Sequence, residues 1–132
     1  MLFRSYDGYN GCSLIPTASQ NADAANNKIT SYSRVLTADS VAIKSMLVAK
    51  HPVIIGINED QSFLSAGPGF IWRVKLSTGN AHCLIICGYD NSKHAYKVMN
   101  SWGTSWGDAG YSYIDYDLLP QVASYFSFVI QN

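Results

Sequence analysis

Residues 82–100 set the tightest constraint on what this chain can fold into. HCLIICGY, 82–89, is a nearly unbroken apolar strand, Asp90-Asn91-Ser92 is a turn, and AYKVMN, 95–100, alternates. Two strand-like runs around a turn predict a β-hairpin. His82 and Asn100 then share its open end. Eight positions separate each from the turn's edge, and side chains alternate faces along a strand, so both project from one face. By identity alone, His82 reads as a capped or core histidine, and its neighbour as one half of an ordinary cross-strand polar pair. The pair also has chemical content. An amide oxygen accepting from one ring N–H fixes the imidazole tautomer and leaves the other nitrogen free for proton transfer. That is two thirds of a Cys-His-Asn arrangement.

The rest of the chain supplies one helix and more short strands. DSVAIKSMLVAK, 39–50, predicts a helix with Ile43, Met46, Leu47 and the stem of Lys50 along its inner seam. Thr37 or Asp39 can cap it, and Pro52 forbids its continuation. PVIIGI (52–57), FIWRVKL (70–76), GYSYIDY (110–116) and YFSFVIQ (125–131) read as strands, and 58–69 as a loop. Residues 6–34, rich in Gly, Asn, Ser, Thr and Ala, read as irregular. One helix with several short strands makes a single α+β or barrel-like domain over residues 1–132.

Composition excludes several classes. The chain is 48% apolar and 14% charged with zero formal net charge. It can build a core, and nothing marks a nucleic-acid or membrane surface. No apolar run approaches the roughly 20 residues of a membrane span. No cofactor or metal set is indicated. The three cysteines do not form a disulfide framework. Cys83 and Cys87 are four apart in one strand, about 13 Å if extended, beyond disulfide reach. A Cys12 bridge to either of them stays open. His51 and His94 read as solvent-facing.

AHCLIICGYDNSKHAYKVMNSWGTSWGDAGYSYI, 81–114, resembles the His-to-Asn block of the papain-like cysteine peptidases. A His opens an apolar strand, GYD and a hairpin follow, then NSWG-x-x-WG-x-x-GY and a closing strand. VAIKSMLVAKHPVIIGINED upstream resembles that family's helix and PV-x-x-G strand, and YDGYNGC a weaker segment before it. The likeness covers roughly residues 6–117. It implies a mostly antiparallel β half-barrel lobe with one helix and long loops, one of two lobes. It implies His82 as general base, Asn100 as its orienter, Trp102 as a shield over their hydrogen bond and a substrate-binding wall on the primed side of the cleft, and Trp106 packed beneath the same loop. Gly56 and Ala81 align with positions lining the pocket for the substrate's second unprimed side chain. Ala81 stands where plant members often have Asp, so electrostatic help from that position is absent.

The nucleophile is missing from this pattern. The family's Cys sits in a Cys-Gly-Ser-Cys-Trp type motif about 130 to 150 residues before the His. Only 81 residues precede His82, and no such motif appears. Cys12 lies in a turn-rich stretch before Pro16, poor ground for the helix N-terminus a reactive thiolate uses. Cys83 and Cys87 alternate onto the face opposite His82 and read as buried small hydrophobes. The chain is therefore expected to be a C-terminal lobe, with the Cys-bearing lobe elsewhere in the gene product or in a separate chain. Residues 1–5 are expected to be non-native, because MLFRS, begun from GTG, back-translates to the end of a common sequencing adapter. The resemblance implies a peptide or protein substrate, no cofactor, and work outside the cytosol. A non-catalytic papain-like binding module is the alternative. A lobe without its partner should expose an apolar patch near Ala81, His82 and Trp102 and tend to associate.

Overall fold

The structure, a computed structural model, describes residues 15–131. The expectations for residues 1–5, for Cys12 and for the segment from Tyr6 lie outside that range. The described chain runs α1 (Ala18–Ala25), β1 (Ser31–Leu36), α2 (Ser40–Val48), β2 (Val53–Asn58), α3 (Gln61–Leu64), β3 (Ile71–Trp72), β4 (Ala81–Asp90), β5 (Ala95–Met99), β6 (Tyr111–Asp115), α4 (Leu119–Val122) and β7 (Phe126–Gln131).

The strands form one sheet in the order β1-β7-β2-β4-β5-β6-β3. Every pairing is antiparallel except β3 with β6. Alternation puts Val53, Ile55 and Ile57 of β2, Leu84 and Ile86 of β4, Val98 of β5 and Ile114 of β6 into one core. Ile43 of α2 closes that core completely buried. Each such side chain contributes about 1.5–3 kcal/mol by leaving water.

Helix α2 forms where the periodicity placed it, with Asp39 accepting from the Ala42 N–H as its cap. Its C-terminus differs from expectation. Lys50 lies past the helix, exposed and at φ 64°, so its stem does not line the seam. His51 N–H donates to Met46 O and Lys50 N–H to Leu47 O, the paired bonds of a Schellman ending with Lys where Gly is usual.

Two stretches expected to be irregular are ordered. Within 15–34, Thr17 and Gln20 close a capping box that starts α1, a helix with no buried residue, and β1 pairs along its length with β7. Within 58–69, Asp60 caps the short α3. Conversely, the strand expected over 70–76 survives only at Ile71–Trp72. Beyond Trp72, residues 73–80 leave the sheet because tertiary hydrogen bonds hold them elsewhere.

Candidate active site

His82 is the second residue of β4, paired in register with Ile57 of β2. Asn100 follows the last residue of β5, its N–H donating to Gly110 O. The two side chains meet: His82 Nε2 lies 2.8 Å from Asn100 Oδ1. The route differs from simple counting. At the turn end Gly88 pairs with Lys97, whereas Ile86 pairs with Val98, so Cys87 is the extra residue of a β-bulge. Without it, continuing the pairing would set Asn100 opposite Ile85, on the far face from His82. The bulge restores Asn100 to the face of Leu84 and His82.

The same amide oxygen accepts from the Ser101 N–H at 2.8 Å. A backbone N–H can only donate, so the atom between the two partners is the oxygen and the amide orientation is fixed. His82 Nε2 must then carry the proton it donates. In the neutral ring Nδ1 is left with its lone pair, as a general base requires.

Trp102 stacks on His82 with centroids 4.5 Å apart and planes 27° from parallel. Behind it stands an aromatic base. Trp106, buried, meets Trp102 edge-on at 5.4 Å, and Phe63 meets Trp106 at 5.1 Å and Trp72 at 4.9 Å. Trp106 Nε1–H donates to Phe63 O at 3.0 Å. At Gly107, φ is 61° and a Cβ would stand 2.1 Å from Tyr111 O, so only glycine lets the loop fold this tightly under the indoles. The sequence did not single out Phe63. Its apolar identity within a loop-like stretch was the available signal.

Gly56 and Ala81 share the outer face of the sheet. Gly56 pairs with Cys83, and Ala81 with Asn58. Ser124 closes the same notch, its N–H donating to Gly56 O and its hydroxyl 2.9 Å from where a Gly56 Cβ would sit. Cys83 and Ser124 join Gly56 and Ala81 there, which sequence reasoning did not foresee. Cys83 and Cys87 do lie opposite His82, but both are exposed rather than buried, because nothing among the described residues covers that face. Desolvation pushes the Cys87 thiol up, against the opposing pull of Lys97. The large exposed apolar side chains of this face are Tyr32, Leu36, Met99, Phe128 and Ile130. His82 and Trp102 are themselves half-buried.

A second constellation lies at the turn end of the hairpin. His94 Nε2 is 3.2 Å from Asp117 Oδ2. His94, Asp115 and Asp117 bring ligand atoms within 4.8 Å of one another. Asp115 is already paired with Arg73 and accepts from the Asp117 N–H. His94 is exposed, as expected, and His51 half-buried.

Residues 4–126 match the papain family of cysteine proteases. Gamete and mating-type specific protein A of Dictyostelium discoideum is 34% identical over 106 residues, 80% of this chain and 22% of that protein. The senescence-specific cysteine protease SAG12 of Arabidopsis thaliana is 34% identical over 110 residues, 76% of this chain and 31% of that protein. Among solved structures, xylellain, a cysteine protease from Xylella fastidiosa, aligns with a TM-score of 0.77 at 29% identity, covering 92% of this chain and 47% of that one. The chain spans between a fifth and a third of these curated relatives and about half of the solved structure.

Proposed function

Because the chain belongs to the papain family of cysteine proteases, we propose that it contributes the base half of a Cys-His-Asn peptidase whose nucleophile lies outside these residues. His82 Nδ1 takes the thiol proton and returns it to the leaving amine. Asn100 holds the ring in the required tautomer, and Trp102 keeps water from their bond. Gly56 and Ala81 line the notch for a substrate side chain. The observation carrying this reading is the His82–Asn100 hydrogen bond, with its direction set by Ser101. An Nδ1 lone pair left free beside that bond serves proton transfer, which a passive binding module does not need, and this favours an enzyme. We place its work outside the cytosol, as membership of the family suggests. Among the described residues no helix is long and apolar enough to cross a membrane.

The purified 132-residue chain, assayed on a fluorogenic peptide, should show no turnover. Turnover lost in Cys12→Ala would make Cys12 the nucleophile and overturn the external-thiol assignment. Turnover surviving that change would leave Cys83, Cys87 or a mechanism without a thiol, and would equally overturn the external-thiol assignment.

A further inference from the structure

Asp60 is buried, yet none of its bonds involves a basic side chain. Its two oxygens serve different segments. Oδ1 accepts from Ser62 N–H at 3.1 Å, Ser62 Oγ–H at 2.6 Å and Phe63 N–H at 3.1 Å, which starts α3. Oδ2 accepts from the Leu76 N–H at 2.5 Å. Phe63 belongs to the aromatic base beneath Trp102, 6.1 Å from that ring. Leu76 belongs to the segment 73–80 that delivers the chain to Ala81 and His82.

Arg73 anchors the start of that segment, pairing with Asp115 and donating to Lys93 O. Val74 and Leu76 are 61% and 75% exposed, so apolar burial does not fix it. Its attachments close to Ala81 are to the residue next to Asp60. The Glu59 N–H donates to Asn80 O at 3.1 Å, and Gly79 packs so closely that a Cβ there would stand 1.1 Å from Glu59 O. Two paths therefore converge on His82 from one carboxylate. One runs through Phe63 and Trp102, the other through Leu76 and Asn80.

We propose that Asp60 is a positioning residue for His82, tying the aromatic base and the 73–80 segment to one buried carboxylate so that the imidazole keeps its stack on Trp102 and its bond to Asn100. The inference rests on the reading of His82 as the base. A neutral isostere cannot replace Asp60. In Asp60→Asn one oxygen becomes an NH2 group, which sets donor against donor at either Leu76 or α3. Asp60→Ser keeps a competent helix cap but is too short to reach Leu76, so it isolates the second path.

The test is NMR of the full 132-residue chain. In the wild type the His82 ring protons carry an upfield ring-current shift from Trp102, and the Nε2–H signal is protected. In both variants that shift should fall by more than half and the Nε2–H signal should disappear, while the methyls of Val53, Ile86 and Val98 stay in place. If Asp60→Asn does not fold, Asp60→Ser decides. A lower Tm in Asp60→Ser with the His82 signals unmoved makes Asp60 merely structural and overturns the proposal. The readout is geometry rather than turnover. Failure of the base assignment would instead appear as activity surviving His82→Ala in the intact enzyme.

Discussion

Truncating Asn100 to Ala should separate stability from chemistry at this site. The amide oxygen accepts two hydrogen bonds, from His82 Nε2 and the Ser101 N–H. Each contributes about 1 kcal/mol net. The amide nitrogen is buried with no partner among the described residues, so its removal returns roughly 1 kcal/mol of desolvation. The balance is a loss of only about 1 kcal/mol, or a Tm decrease of roughly 4 °C. The tautomer of His82 should respond more sharply. Losing an acceptor worth about 1 kcal/mol lowers the ratio of Nε2–H to Nδ1–H forms roughly fivefold. Long-range 15N–1H correlation spectra, recorded with the ring neutral, read that ratio directly. The reasoning is refuted if wild-type His82 is mainly the Nδ1–H form, or if Asn100→Ala leaves the ratio unchanged.

Glycine positions give a paired test of packing. Gly79→Ala drives a Cβ into the Glu59 carbonyl and should cost at least about 1–3 kcal/mol, whereas Gly56→Ala meets only the movable Ser124 hydroxyl and should cost less than about 1 kcal/mol in denaturant titrations. Lys50→Gly relieves a left-handed residue at the Schellman ending of α2. It should raise stability by about 0.5–1 kcal/mol, read as a higher urea midpoint with an unchanged slope. Acid should expose Asp60. Burial by itself would raise its carboxyl, but the Ser62 hydroxyl and the N–H groups of Leu76, Phe63 and Ser62 outweigh this and hold it below its ordinary 3.8. A depressed carboxyl contributes stability that is complete above the unfolded value and is lost as pH falls through the folded one. Below pH 3.8 the Tm of the wild type should therefore fall more steeply than that of Asp60→Asn.

Local patterns were legible where local forces decide. The Ile43, Met46 and Leu47 seam of α2, Asp39 as one of two candidate caps, and the apolar run of β4 follow from residue spacing alone. The nearness of His82 and Asn100 was also legible, though for an incomplete reason. Counting placed both on one face without the bulge at Cys87 that makes this true. The available signal for the bulge was Gly88 inside the strand run, which counting alone does not use. The reading of 73–76 as strand failed because Leu76 N–H finds Asp60 instead of a strand partner, a contact between residues 16 apart. The burial of Cys83 and Cys87 was misjudged for another reason. Alternation tells which face a side chain takes, and only tertiary packing tells whether that face is covered.

The central claim is that His82, oriented by Asn100, is a working base that lacks only an external thiol. The most direct measurement is peptide hydrolysis by this chain reconstituted with a Cys-bearing lobe from its own locus. The account predicts no activity from either piece alone, thiol-dependent turnover from the pair, and a fall of at least about a hundredfold in His82→Ala. Turnover by the pair that is unchanged in His82→Ala would contradict it.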